Sequence, residues 1–200
     1  MRVAFGWKAH SGWAALVVMG AGDGGACVVD RRRVGLVEDA NRGWAGAPYH
    51  AAEEMSPGPA RELVERAGVE ARFCANRKMR LAVERATQAG HEIVACAVLT
   101  PAPMPDWSIE QIRAVHFRMH KAEGVMFPDA LAHAAETCGL RLLAVAEKDL
   151  AALVERALAM SFGAAVKKVA LLGKSVGPPW GADQKNAALA AMIALQAPRE

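Results

Sequence analysis

Glu92–Leu99, EIVACAVL, is a nearly continuous apolar run, set between Gly90-His91 on one side and the proline-spaced segment Pro101, Pro103, Pro105 on the other. It has strand length, and a strand without polar alternation is one buried on both faces. Both faces of a sheet are covered only when helices lie on each side of it. This stretch therefore predicts an α/β architecture with itself as a central strand.

Working outward, Leu140–Ala146 (LRLLAVA) is a second run of this kind and supplies a fifth strand. Upstream, Arg2–Lys8 and Gly12–Gly20 are short, apolar and separated by Ala9, His10 and Ser11, which predicts a β-hairpin. Gly20–Gly25 (GAGDGG) provides turn residues for a third strand, Ala26–Val37, in which charged and apolar residues interleave. Between strands the pattern is helical. One helix runs from near Ala60 to about Ala89, after the loop Asp39–Pro59. Another spans Ile109–Ala122, with Asp106 and Ser108 as capping candidates, and a further one spans Pro128–Cys138. Beyond Ala146 the chain reads as helical to its end, apart from the loop Gly173–Ala182. The element order βββαβαβα, with a mixed five-stranded sheet, is expected to form one domain over residues 1–200.

Composition agrees with a packed core: 53% of the 200 residues are hydrophobic and 22% charged. With 24 basic against 21 acidic residues, the net charge of +3 is too small to identify a partner by itself. Cys27, Cys74, Cys96 and Cys138 are widely spaced with no CxxC pair, which predicts free thiols in a reducing cytoplasm. Arg2 and Lys8 ahead of Trp13–Gly20, with Gly25-Ala26-Cys27 after it, only faintly resemble a lipoprotein signal. No stretch reaches the ~18 apolar residues of a membrane span.

The sharpest local feature is His116, His120 and Glu123, an HxxxHxxE arrangement whose spacing puts all three on one helix face. Two histidines at i and i+4 can chelate one zinc-like ion, with Glu123 as a ligand or as a ligand's partner; a divalent metal is the implied cofactor. His10, in the hairpin turn, is a candidate from elsewhere in the chain. The Gly173-Lys174-Ser175 sequence is not a phosphate loop, because Lys168 occupies the leading glycine position and no strand precedes it. A looser anion contact by Lys174, Ser175, Lys185 and the N-terminus of the last helix is expected instead. Trp180, beside two prolines, is either a cap on the core or a stacking surface for a base. Arg31, Arg32 and Arg33, with Arg77, Lys78 and Arg80, form either a solvated edge or phosphate contacts.

Leu131–Asp149 and Val166–Leu195, ending in Asp183-Gln184-Lys185-Asn186 and the alanine-rich 187–191, resemble the C-terminal part of RuvC-type Holliday-junction resolvases, members of the ribonuclease H-like superfamily. The resemblance implies a ribonuclease H-like fold and a site where several carboxylates hold two divalent ions about 4 Å apart. Here Lys8 stands where the first-strand aspartate is expected, Thr100-Pro101 follows the fourth strand where an acid is expected, and Asn186 stands beside a retained Asp183. A lysine at that position repels the metal, so ordinary two-metal hydrolysis is not expected.

Lys8, His10, Thr100, His116, His120 and Asp183 would then meet at one end of the sheet, bordered by Tyr49, His50, Trp7 and Trp13. Three functions follow as expectations. The first is a nucleic-acid-related protein, binding phosphates of DNA or RNA through Lys8, His10, Lys174, Ser175 and Lys185. The second is a metal-dependent hydrolase or nuclease with His116, His120 and Asp183 as its catalytic groups and His116, His120 and Glu123 at the metal. The third is a non-catalytic interaction module, joined as a homodimer.

Overall fold

The computed structural model describes residues 1–22 and 25–196. Its strands are β1 (Arg2–His10), β2 (Trp13–Gly22), β3 (Gly25–Gly35), β4 (Glu92–Thr100) and β5 (Leu142–Ala146). They form one sheet in the order β3-β2-β1-β4-β5. β1–β2 and β2–β3 are antiparallel, whereas β1–β4 and β4–β5 are parallel. This is the mixed five-stranded sheet expected from the element order. EIVACAVL lies inside it, between β1 and β5. Asp23 and Gly24 of the glycine-rich turn, and the last four residues of the chain, lie outside the described residues.

The helices are α1 (Arg42–Ala45), α2 (Pro48–Ala51), α3 (Pro57–Gln88), α4 (Ile109–Arg113), α5 (His116–Thr137), α6 (Leu150–Leu158), α7 (Phe162–Leu172) and α8 (Ala182–Leu195). Side chains alternate across a strand, so the sheet has two apolar faces. On one, Val3, Phe5, Trp7, Leu16, Cys96 and Val98 pack under α3 and α5. On the other, Ala4, Val17, Met19, Ala97 and Leu99 pack under α6, α7 and α8. The contact with α8 is close: a Cβ on Gly6 of β1 would lie 1.9 Å from the Ala187 carbonyl oxygen. Only glycine lets the helix seat there.

All four cysteines are free, two of them buried. Burial pushes the Cys96 thiol up to about 12. Among the described residues no helix is long and apolar enough to cross a membrane.

Two details differ from the sequence reading. The predicted break before Pro128 is absent: the chain breaks at Ala114-Val115, and α5 runs through Pro128 to Thr137. Phe127, Ala130, Leu131, Ala134 and Ala135 form one unbroken buried face, and that burial outweighs the single backbone hydrogen bond a proline removes. The predicted loop 39–59 contains the short helices α1 and α2, the second opened by Pro48 at its first turn.

Candidate functional site

The residues expected to share one pocket are divided by the sheet. Along β1 the even positions face α8, so Lys8 and His10 point to the α6–α8 layer. There Lys8 Nζ pairs with Glu147 Oε1 at 2.5 Å, and His10 Nε2 lies 2.9 Å from Asp183 Oδ1. The His10 ring stacks on Trp13 with centroids 4.5 Å apart, and the Arg33 guanidinium sits 3.6 Å from the Trp13 ring centroid. Lys8 and His10 at the end of β1 thus each already face a carboxylate. Asp183 is engaged by His10, and among the described residues no hydrogen bond, ion pair or ring contact joins it to His116 or His120. The structure thus places His116 and His120 together in one layer and Asp183 beside His10 in the other.

The second group lies in the α3–α5 layer. His116 and His120 begin α5, and spacing of four brings their Nε2 atoms to 3.1 Å. His50, from α2, completes the group: its ring centroid is 5.0 Å from that of His116 and 4.5 Å from that of His120. One ring nitrogen from each of the three lies within 4.8 Å of the others.

Glu123 organises this cluster from behind. It is only 4% exposed. One carboxylate oxygen accepts the backbone N–H groups of Tyr49 and His50 at 3.0 and 3.2 Å, and the other lies 2.8 Å from His50 Nδ1. The first N–H groups of a helix have no partner within it, so a carboxylate satisfies them well. In the neutral ring, a carboxylate at Nδ1 favours the tautomer with the proton on that nitrogen, which leaves the Nε2 lone pair bare. His50 Nε2 is buried and has no hydrogen-bond partner. Both carboxylate oxygens of Glu123 are thus occupied, one by the α2 amides and the other by the His50 ring. Burial, and then the charge of Glu123, push the neighbouring Tyr49 hydroxyl up. Ile112, Met119 and Ala122, with Tyr49, Met104 and Trp107, form a small apolar cluster at this end of α5. Ser108 caps α4 by accepting from the Gln111 amide at 3.2 Å, which fixes the approach to α5.

His50 is the site residue that sequence reading placed at the sheet end and did not assign. Nothing in its spacing relates it to residues 73 positions away. The proline that opens α2 is the one local signal.

The 173–181 loop caps the core. Trp180 Nε1 donates to the Val169 carbonyl at 3.0 Å, and its ring covers Gly173 so tightly that a Cβ there would lie 2.2 Å from it. Arg31 donates to the carbonyls of Val176, Pro178 and Pro179. It is therefore a clamp on this loop and not part of a solvated edge. Ser175 Oγ donates to the Leu172 carbonyl at 2.7 Å. Lys174 is exposed and Lys185 half-buried.

A groove runs between β2–β3 and the C-terminal half of α3. Two adjoining cavities of about 330 and 190 Å³ share Leu16, Arg32, Ala82 and Arg85. Lys78 and Arg33 line one and His91 the other, with Asp30 the acid present, bonded to Arg32 at 2.7 Å. The floor is apolar and the walls are basic.

No family model matches the chain, and no curated protein matches it. Among solved structures it is similar to RuvC of Thermus thermophilus, at 18% identity and a TM-score of 0.48, over 96% of this chain and 91% of that one. It is similar at 18% identity and a TM-score of 0.49, with the same coverage, to T. thermophilus RuvC in complex with a Holliday junction substrate. Both comparisons concern the path of the chain. What this protein does has to come from its own side chains.

Proposed function

We propose that this domain binds nucleic acid through its sugar-phosphate backbone, along the groove between β3 and α3. The observation that carries this reading is the concentration of Arg32, Arg33, Lys78, Arg85 and His91 around two joined cavities with one acid among them. A net charge of +3 hides such a face, because attraction to phosphates depends on where the charge lies. Lys8 and His10 serve this reading poorly, since Glu147 pairs with Lys8 and the Asp183 carboxylate lies against His10. Lys174 and Lys185 remain as supplementary contacts near the start of α8, whereas Ser175 is held by its own turn.

Anisotropy of labelled single strands, duplexes and four-way junctions at two salt concentrations tests this. Binding should weaken steeply with salt. The Lys78→Glu/Arg85→Glu double variant should lose at least about tenfold in affinity and flatten the salt slope by about 2. Absence of salt-dependent binding to every probe overturns the reading.

A second reading, self-association along α3, is favoured by Val69 and Phe73. They are one turn apart and 68% and 63% exposed. Light scattering that returns a monomer mass at high concentration excludes it.

A further inference from the structure

We infer that His50, His116 and His120 form a binding site for one zinc-class divalent ion, with Glu123 as the carboxylate that orients His50. This goes beyond the nucleic-acid reading and stands without it.

Three features carry the inference. The ligand atoms converge: the Nε2 atoms of His116 and His120 are 3.1 Å apart. Two imidazole nitrogens on one tetrahedral zinc, at Zn–N of about 2.0–2.1 Å, sit about 3.3 Å apart. Next, in a ring that lies beside the pair, His50 Nε2 is buried without a hydrogen-bond partner, an arrangement that is costly unless something else occupies its lone pair. Finally, its other nitrogen is held by a nearly buried carboxylate. Carboxylate–histidine–metal is the usual arrangement behind an imidazole ligand, because it fixes the tautomer and raises ligand basicity.

The separation of up to 4.8 Å within the group is within reach of a small rotation of His116 and His120, which are exposed at the surface. That exposure also leaves the solvent side of the ion open. Three protein nitrogens plus one position for water is the coordination of a site that presents a polarised water, unlike a closed structural zinc. Imidazole donors select zinc, cobalt or nickel over magnesium and calcium, which require oxygen ligands. The site lies away from the end of β1, where the family resemblance implies metal-binding acids.

The test uses the full chain without an affinity tag, stripped with chelator and titrated with cobalt(II) and then zinc. Cobalt should bind one to one and produce visible absorption bands of a four- or five-coordinate nitrogen site, and zinc should displace it. His116→Ala/His120→Ala should abolish the bands and weaken zinc binding at least a hundredfold. Glu123→Gln should weaken it about 10–100-fold. The two histidines are exposed, so the double variant should fold, which circular dichroism checks. A wild-type chain that shows no cobalt bands, or a folded double variant that keeps one-to-one zinc binding, overturns the inference. If the double variant does not fold, the wild-type melting temperature decides. Excess zinc should raise it and magnesium should not, and an equal response to both ions overturns the proposal.

Discussion

The end of β1 and the junction of α2 with α5 both set a histidine against a carboxylate, and they use the pair in opposite ways. At the end of β1, Asp183 is the end of the line: it meets His10 at 2.9 Å with both side chains about one-third exposed, and Lys8 is similarly closed off by Glu147. Lys8 is matched by Glu147, and His10 Nε2, which makes no hydrogen bond, has the Asp183 carboxylate as its near neighbour. At the α2–α5 junction Glu123 is a brace. It is 4% exposed, anchored by two backbone amides, and it holds His50, with one nitrogen bare, beside two more imidazoles. Partial exposure with a matched partner makes a surface pair; burial behind a histidine makes a preorganised ligand. The family resemblance directs attention to the first place, while the geometry assigns the open chemistry to the second.

Gly6→Ala has the largest expected effect, because it breaks the seat on which the β1 side of the comparison depends. Its Cβ would lie 1.9 Å from a backbone oxygen of α8, which cannot rotate away as a side chain does. A loss above about 3 kcal/mol in urea unfolding is expected. A loss below about 1 kcal/mol means that α8, and Asp183 with it, is not rigidly docked on β1.

Glu123→Ala follows. It leaves the amides of Tyr49 and His50 and the His50 ring without their acceptor in a nearly closed place, so a loss of about 2–3 kcal/mol is expected. Glu123→Gln keeps an acceptor for the amides and should lose roughly half as much. Equal losses for the two would place the cost in the charge and not in the amide contacts.

The difference between the two regions also marks what the sequence discloses. The strands are legible because periodicity is local: EIVACAVL becomes β4 and the hairpin becomes β1–β2, each within about two residues of its expected bounds. The HxxxHxxE face is legible for the same reason, since helical spacing alone brings His116, His120 and Glu123 together. His50 is not legible, because its place is set by α2 packing against α5 across 73 residues of chain. The same holds for Arg31. Strand parity groups it with Arg33, but the carbonyls it clamps, from Val176 to Pro179, come from the far end of the sequence. The helix runs through Pro128 because a continuous buried face overrides the local signal of proline.

Asp183→Asn is expected to have the smallest effect, and it tests the contrast most directly. Asparagine has the same shape and keeps an oxygen acceptor for His10, so the change removes little more than the charge. The Asp183 and His10 side chains are 31% and 37% exposed, so solvent screens most of their attraction. The expected change in unfolding free energy is under about 1 kcal/mol, and the cobalt spectrum of the histidine cluster should not change. A loss above about 2 kcal/mol, or an altered spectrum, would mean that Asp183 braces a larger network that reaches across the sheet. The two regions would then be one site, as the sequence alone led us to expect.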